Sequence, residues 1–334
     1  MAENIMIDLF NINRYAIDTA KFKNVLHDNV VQEFEEEFAQ YVGAKHACSI
    51  NSASNAIFLT FSEFVTPTLF SEDGTFNPHI IKIPSVIPAV VPNSLIKAGV
   101  CIEFTDDVDW VGHSYVLYHH ADEDWKIIDS AQKVTRNQFH DEADPNDIMI
   151  FSFYPTKPVG GIDGGMVVSD DIDKINWYKE ASFYGMSASH NNWERRIQSV
   201  GWKMYLNASQ AFVAKNNLAL LDHKNERLSE INKFYNSELG YSNSSGHLYR
   251  VEVANNEDFI QNMKDAGICC GIHYRALHKN PLYTEYGGYC AVESRSYQDS
   301  ENTHVHTASI PFHEKLEDDQ LKFICDTVKD YLIK

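Results

Sequence analysis

Lys157 follows a short apolar segment and precedes a glycine-rich one, a position at which a lysine amine can do covalent chemistry. Residues 148–153 are almost wholly apolar, which is typical of a strand buried on both faces of a parallel sheet. Chemistry in such sheets lies at the carboxyl ends of the strands, where a partly desolvated amine has a lowered pKa and can form a Schiff base with a carbonyl. The glycines that follow let the chain turn sharply and return at residues 166–168. The alternative interpretation is a solvated surface lysine.

A second apolar segment, residues 125–128, ends in Asp129, and Gln132 follows three residues later. A carboxylate at the end of a strand can hold the protonated nitrogen of a pyridine ring, which makes bound pyridoxal a better electron sink. The simpler alternative for Asp129 is a helix N-cap or a turn aspartate. On this segment alone both interpretations stay open.

A third segment, residues 41–60, predicts a strand, a small polar turn and then a helix. Free backbone amides at the start of such a helix, together with the hydroxyls of Ser52 and Ser54, suit a phosphate group. Ordinary capping of the helix by Ser54 explains the same residues. The segment alone does not distinguish a phosphate site from a helix cap.

These three segments, in this order, resemble the DegT/DnrJ/EryC1/StrS family of nucleotide-sugar aminotransferases, which are fold-type I enzymes that use pyridoxal 5'-phosphate (PLP). Further similar segments cover most of the chain, at residues 33–45, 84–85, 128–132, 152–157, 201–211, 271–274, 277–278 and 309–313. The resemblance implies an α/β fold with a mostly parallel central sheet and helices on both faces. It also implies a large PLP-binding domain with an N-terminal arm at residues 1–215, followed by a bridging helix and a small C-terminal α/β domain at residues 216–334.

Position by position, the resemblance implies a role for each matching residue. Lys157 forms the Schiff base with PLP and later moves protons between the cofactor C4' and the sugar carbon. Asp129 pairs with the pyridinium nitrogen, and Gln132 lies against the ring near its oxygen. The phosphate is held by Ser152, Ser54 and the backbone amide of Asn55.

The resemblance also assigns residues to the substrate and to a second subunit. His273 and Tyr274 match a segment that often lies near the nucleotide-sugar in this family. Lys203 stands where many members have an asparagine, and some a lysine, that reaches the cofactor phosphate of the neighbouring subunit. The resemblance therefore implies a homodimer with the active site at the subunit interface.

Several features depart from the family pattern. The usual Gly-Thr of the phosphate turn is Ala53-Ser54, and Ala53 does not take positive φ as freely as glycine. The aromatic residue that stacks on the cofactor is replaced by Pro88, whose ring covers the pyridine face without aromatic stacking. The connection at residues 121–124 is too short for the crossover helix that joins parallel strands, so the flanking strands are joined differently. The segment before Glu33 is also shorter than in the family.

Composition agrees with a soluble globular protein and says little more, since 44% of the 334 residues are hydrophobic and 22% are charged. The formal net charge of −19 argues against nucleic-acid binding. Phosphate groups of cofactor and substrate then need local cations, for which Lys203, Arg275, Arg195 and Arg196 are candidates. The six cysteines lack metal spacing and predict free thiols in a reducing compartment, the alternative being a disulfide framework. No segment has transmembrane length and the N-terminus has no signal pattern, so we expect no membrane association and a cytoplasmic protein.

The remaining segments predict the organisation of the chain. Helices are expected at residues 208–230, 256–266 and 318–333, a strand at 247–253 and a polar loop at 241–246. His304 and His306 alternate in the segment 303–310, which predicts a strand with both side chains on one face. A structural role is favoured for both over the alternative, a contact with substrate. His119 and His120, followed by acidic residues, fit no common zinc spacing and are interpreted as a polar loop, so no metal is expected.

The sequence therefore predicts a PLP-dependent aminotransferase that passes an amino group from L-glutamate to a nucleotide-diphosphate-linked 3- or 4-keto-6-deoxyhexose. Such a reaction serves amino-sugar and surface-polysaccharide biosynthesis. One alternative is a sugar dehydratase of the same family, but those enzymes have a histidine in place of Lys157. Another is a degenerate binding or regulatory member, which Ala53, Pro88 and the shortened loops suggest and the otherwise intact set of cofactor residues opposes.

Overall fold

The computed structural model describes residues 6–65, 80–187, 192–284 and 296–333. Up to residue 218, the described residues form strands and helices that succeed one another along the chain. The strands are β1 (His46–Ile50), β2 (Ile80–Pro84), β3 (Cys101–Thr105), β4 (Tyr115–His120), β5 (Trp125–Asp129), β6 (Ile148–Ser152) and β7 (Gly165–Ser169). The helices are α1 (Asn29–Val42), α2 (Ala53–Glu63), α3 (Val90–Lys97), α4 (Gln138–Glu142), α5 (Ile172–Ala181) and α6 (Ala208–Leu218).

Five of these strands form the central sheet, in the order β1-β7-β6-β5-β4. β5 and β6 are parallel, whereas β7 is antiparallel to β1 and β6, and β4 is antiparallel to β5. The predicted α/β sheet is confirmed, but its pairing is mixed rather than mostly parallel. β1, β5 and β6 nevertheless run in the same direction, so their carboxyl ends lie at the same end of the sheet. β2 and β3 form a separate parallel pair.

The short connection between β4 and β5 closes an antiparallel hairpin. Asp124, the last residue of this connection, has a positive φ of 52°, which a tight turn requires. Within the hairpin Tyr115 lies opposite Asp129, and His120 lies opposite Trp125. The prediction that these strands are not joined by a crossover helix is confirmed.

The central sheet separates two hydrophobic clusters. Along β6, Ile148 and Ile150 belong to one cluster, whereas Met149 and Phe151 belong to the other, because successive side chains of a strand point to opposite faces. Helices α2, α3 and α5 cover the first cluster, and α1, α4 and α6 cover the second. Both faces of β6 are therefore buried, as its apolar sequence predicts.

Helix α1 is amphipathic, as the acidic segment at residues 33–37 predicts. Phe34 and Phe38 are fully buried, and their rings contact Phe153 with centroids 5.0 and 5.3 Å apart. Carboxylates of this segment pair with Lys215 of α6.

The described residues of the C-terminal part form two strands and several helices. The strands β8 (Tyr249–Glu252) and β9 (Thr307–Ile310) are antiparallel. The helices are α7 (Leu221–Leu239), α8 (Asn256–Asp265), α9 (Pro281–Thr284), α10 (Gln298–His306) and α11 (Asp318–Val328). A third hydrophobic cluster lies between the two strands and α7, α8 and α11. The predicted domain boundary at residue 215 falls within α6 and stays a prediction.

Several predicted boundaries need correction. The helix expected at residues 208–230 is divided into α6 and α7, and the last helix ends at Val328 rather than at residue 333. The strand predicted at residues 303–310 is confirmed only for Thr307–Ile310, because His304 and His306 lie in the last turn of helix α10. Their rings bond to the backbone of Ala276 and Val253, contacts distant in sequence that the alternating pattern does not reveal.

The cysteines among the described residues are free thiols, at Cys48, Cys101, Cys269, Cys270 and Cys325. Cys290 lies outside the described ranges. Within those ranges no helix combines the length and apolar character needed to cross a bilayer.

Candidate active site

A cavity of about 510 Å³ lies at the carboxyl ends of β1, β5 and β6. Its volume is in the range of small-molecule sites. It is lined by the predicted site residues Ser54, Pro88, Asp129, Gln132, Ser152, Lys157, His273 and Tyr274. The common direction of the three strands explains why residues far apart in sequence meet here.

The turn that carries Lys157 is held by side chains from α6 and α7. The Lys224 Nζ donates to the carbonyl of Pro158 at 2.8 Å, and the Asn217 Nδ2 donates to the carbonyl of Gly160 at 2.8 Å. The chain immediately after Lys157 is therefore fixed by two long side chains.

Burial changes the ionisation of the Lys157 amine. It lowers the pKa of this amine to about 8, while the charge of Asp129 opposes the change. A neutral amine is the form that attacks an aldehyde, so burial increases the fraction of Lys157 that is in the reactive form.

Asp129 is buried and both of its carboxylate oxygens accept a hydrogen bond. The Tyr115 hydroxyl donates to Oδ2 at 2.9 Å, and the backbone N–H of Ala131 donates to Oδ1 at 2.9 Å. Burial raises the pKa of Asp129, whereas these two bonds and the charge of Lys157 act in the opposite direction. Asp129 is thus both a turn aspartate and a wall of the cavity.

The start of α2 forms the end of the cavity that suits a phosphate. Ser52, not Ser54, caps this helix, because the Ser52 Oγ accepts the backbone N–H of Asn55 at 3.2 Å. The Asn55 amide is therefore already bonded within the chain, and Asn55 does not line the cavity. The Ser54 hydroxyl lies free of the capping role. Ala53 is the first helical residue, so the family's glycine is not needed there for a positive φ.

Gly165 lets β7 approach the start of α2 closely. A Cβ at Gly165 would lie 2.6 Å from the backbone nitrogen of Ala53 and 2.8 Å from the carbonyl carbon of Ser52. Glycine is therefore required here for space, and the returning strand supports the phosphate end of the cavity.

Gln132 connects the loop after β5 to the opposite wall. Its Oε1 accepts the Gly112 N–H at 2.8 Å, and its Nε2 donates to the Tyr274 hydroxyl at 3.2 Å. The Tyr274 ring is parallel to Trp110, with centroids 6.3 Å apart, and the Trp110 Nε1 donates to the carbonyl of Val86 at 3.1 Å. The side of the cavity formed by Gln132 is thus held in place by bonds to both neighbouring segments.

His273 lies beside Tyr274 and is held by Ser309, whose Oγ is 3.0 Å from the His273 Nδ1. Burial, together with the charges of Lys157 and Arg250, lowers the pKa of His273 to about 4. The imidazole is therefore neutral near neutral pH. Arg250 itself donates to the Val108 carbonyl at 3.3 Å.

Sequence reasoning missed several residues of the cavity wall, including the aromatic and histidine side chains of Phe10, Trp110, His113 and His247. Phe10 stacks on His247 with centroids 5.5 Å apart and meets His273 edge-on at 5.6 Å. A lone tryptophan in the polar segment around residue 110 was a usable signal. Phe10 and His247 lie far in sequence from the predicted motifs and carry no such signal.

The predicted phosphate cations lie away from the cavity in a single chain. Lys203 is exposed and does not line it. Arg275 donates to Glu257 at 2.6 Å, and Arg195 and Arg196 belong to a surface segment on another side. Of these predictions, only that for Lys203 depends on a second subunit.

The sequence pattern of the DegT/DnrJ/EryC1/StrS aminotransferase family matches residues 10–66 and 127–329, which is most of the chain. The chain belongs to this family. Enzymes of the DegT/DnrJ/EryC1/StrS family are PLP-dependent aminotransferases, and this reaction class and cofactor hold for the chain.

Relatives match over almost their full lengths. The chain is 26% identical over 380 residues to the UDP-4-amino-4,6-dideoxy-N-acetyl-beta-L-altrosamine transaminase of Campylobacter jejuni serotype O:2, covering 97% of this chain and 96% of the relative. It is 25% identical over 361 residues to the spore coat polysaccharide biosynthesis protein SpsC of Bacillus subtilis, covering 90% and 89%. The crystal structure of the aminotransferase TlmJ from Streptoalloteichus hindustanus has a TM-score of 0.77 at 18% identity, covering 97% and 98%. The fold-type I architecture is therefore confirmed.

The donor set of the cavity suits PLP. It offers an amine of lowered pKa at Lys157 for the aldehyde, a buried carboxylate at Asp129 for the ring nitrogen, and hydroxyls at Ser52 and Ser54 beside a helix start for the phosphate. Pro88 lies in the wall and is available to cover the ring.

Proposed function

We propose that this aminotransferase takes an amino group from L-glutamate and passes it to a keto-deoxy sugar linked to a nucleoside diphosphate. The observation that carries the proposal is the joint placement of Lys157 and Asp129 in one cavity at the strand ends. The choice of substrate class is supported by the relatives, one named as a transaminase of a UDP-linked amino-dideoxy sugar and another for polysaccharide biosynthesis.

When bound, PLP supplies an electron sink that stabilises negative charge on the carbon losing a proton. Lys157 provides a neutral amine that can attach to the cofactor aldehyde and, once displaced by the amino donor, can accept and return a proton through its Nζ. Asp129 keeps a proton on the ring nitrogen by pairing with it. Ser52 and Ser54 would hold the phosphate and so keep the ring in place while the lysine is free.

At the other side of the cavity, His273 and Tyr274 supply uncharged polar groups for the sugar. Burial lowers the pKa of His273 to about 4 and raises the pKa of Tyr274, so the imidazole is neutral and the phenol keeps its proton. Such groups can bond to sugar hydroxyls without the cost of desolvating a charge. Phe10 and His247 add ring surface for the apolar face of a deoxy sugar.

We also propose a homodimer in which Lys203 reaches the phosphate of the neighbouring active site. Lys203 is exposed, and the surface that precedes it carries large apolar side chains. Trp193, Ile197 and Val200 are 77%, 74% and 87% exposed in the single chain. Apolar side chains of this size favour burial against another protein surface. Light scattering would give the oligomeric state. Lys203→Ala should weaken PLP binding and leave the oligomeric state unchanged.

The first experiment separates cofactor chemistry from substrate choice. The protein is mixed with PLP, and its visible absorption is recorded before and after addition of L-glutamate. We expect the band of lysine-bound PLP to form and then to decrease with glutamate. Lys157→Ala should not form this band, whereas Lys82→Ala, which changes an exposed lysine of β2, should behave as the wild type. Failure of the wild type to form the band would refute the proposal and favour a non-catalytic binding protein.

The second experiment tests the sugar. Protein carrying the amino form of the cofactor is incubated with a panel of nucleotide-linked keto-deoxy sugars and related keto acids, and the products are measured by mass spectrometry. An amino sugar from at least one nucleotide-linked substrate supports the proposal. Amination of keto acids alone would leave the aminotransferase in place and refute the sugar substrate.

A further inference from the structure

Tyr115, on β4, directly contacts the cofactor-binding carboxylate. It lies opposite Asp129 in the antiparallel ladder of β4 and β5. Directly opposite residues of such a ladder point to the same face, so the Tyr115 side chain extends along Asp129. Its hydroxyl donates to the Asp129 Oδ2 at 2.9 Å, while the backbone N–H of Ala131 occupies Oδ1.

This contact depends on the hairpin of this particular chain. A parallel β4, entered through a crossover helix, would run in the opposite direction and would place its other end beside Asp129. The four-residue connection at 121–124 permits only the antiparallel arrangement. The shortened connection therefore brings Tyr115, the first residue of β4, to the carboxyl end of β5.

Tyr115 is well fixed in this position. Its ring packs against Trp110 with centroids 4.7 Å apart, and Trp110 is itself bonded to the Val86 carbonyl. Burial, then the charge of Asp129, raises the pKa of Tyr115 well above its usual value, so the hydroxyl keeps its proton and donates. The other titratable groups that act on the Asp129 and Tyr115 pair are Lys157 and Tyr274.

We propose that Tyr115 is a positioning residue that keeps the Asp129 carboxylate ionised and oriented toward the ring nitrogen of PLP. Each carboxylate oxygen has two lone pairs, so Asp129 can accept the ring N–H while both present bonds remain. Through Asp129, Tyr115 acts on the binding of PLP and not on the binding of the sugar. A failed sugar assay would therefore leave the effect of Tyr115 measurable.

The test compares Tyr115→Phe with Tyr178→Phe. Tyr178 is also a buried tyrosine of the same part of the protein, and its hydroxyl bonds to Thr60, away from the cavity. We measure the dissociation constant of PLP by titrating the apoprotein, the pH dependence of that constant, and the thermal midpoint of each variant. Both variants should lose some thermal stability, because each loses a buried hydrogen bond.

Only Tyr115→Phe should weaken PLP binding, by about tenfold, which is the lower end of what a hydrogen bond to a charged group contributes. Loss of the donor raises the pKa of Asp129, so the acidic pH at which PLP affinity falls should move upward in this variant. Equal PLP affinity and equal pH dependence in Tyr115→Phe and wild type would overturn the proposal.

A second substitution keeps the proposal testable if Tyr115→Phe does not fold. Tyr115→3-fluorotyrosine retains the size of the side chain and makes its hydroxyl a stronger donor. Since a stronger donor stabilises the Asp129 carboxylate further, the acidic loss of PLP affinity should move downward, opposite to the phenylalanine variant. An unchanged pH dependence with 3-fluorotyrosine would also overturn the proposal.

Discussion

Lys157 allows a direct test of the electrostatics of the site. Burial lowers the pKa of its amine from 10.5 to about 8. At neutral pH this difference raises the neutral fraction of the amine by about 300-fold, from roughly 0.03% to roughly 9%. We therefore expect the reactivity of Lys157 in the apoprotein to rise with pH and to level off above a midpoint near this lowered pKa.

The measurement is competitive acetylation of the apoprotein. Samples at a series of pH values receive a trace of isotopically labelled acetic anhydride and are then unfolded and fully acetylated with the unlabelled reagent. Mass spectrometry of the peptide containing Lys157 gives the labelled fraction at each pH. Exposed lysines such as Lys82 in the same digest correct for the pH dependence of the reagent.

Two outcomes bear on the reasoning. A midpoint near 10.5 would show that Lys157 is solvated in the apoprotein and would refute its burial as the cause of reactivity. Asp129→Asn should move the midpoint further down, because the Asp129 charge favours the protonated amine. An upward movement in that variant would show that Asp129 does not act on Lys157 through its charge.

Three further substitutions test the support of the site. Gly165→Ala places a Cβ 2.6 Å from a backbone nitrogen of α2. It should lower the free energy of unfolding by about 1–3 kcal/mol and weaken PLP binding. The control Gly246→Ala, whose Cβ would have nothing within 4 Å, should change neither quantity. Ser52→Ala removes the cap of α2 and should lower the free energy of unfolding by about 1 kcal/mol. It should also lower the affinity for PLP, whereas Ser54→Ala should lower only that affinity. Lys224→Met removes the hydrogen bond from Lys224 to the Pro158 carbonyl in the turn that carries Lys157. It should weaken PLP binding by about tenfold, measured by titration of the apoprotein. An unchanged affinity would show that this hydrogen bond does not support the site.

The parts of the fold that were predictable are those set by local pattern. The apolar segment at residues 148–152 forms a strand buried on both faces, and the pair Phe34 and Phe38 marks the buried side of α1. The convergence of Lys157 and Asp129 was also predictable, because parallel strands place their carboxyl ends together. Local sequence therefore defined both the strands and the end of the sheet at which chemistry occurs.

The parts that were not predictable depend on contacts between distant segments. The break between α6 and α7 lies just after Asn217, whose side chain bonds to the Gly160 carbonyl, and no local residue type marks it. A cap at Ser52 starts α2 at Ala53, whereas a cap at Ser54 would start it two residues later, and the local sequence does not distinguish the two. Phe10 reaches the cavity because the N-terminal arm pairs with the C-terminal part, where Ile7 bonds to Gly267.

The position of β4 in the sheet explains why a chain with the shortened connection, and without the crossover helix, keeps its reaction class. Ser52, Asp129 and Lys157 lie at or just after the carboxyl ends of β1, β5 and β6, and these strands keep a common direction. β4 lies at the edge of the sheet and supplies none of them, so its reversal leaves Lys157, Asp129 and Ser52 in place. The reversal instead changes which β4 residue faces Asp129, and a tyrosine stands there with its hydroxyl on the carboxylate. An edge strand is thus the place where a deletion can alter the surroundings of the cofactor without disturbing its attachment.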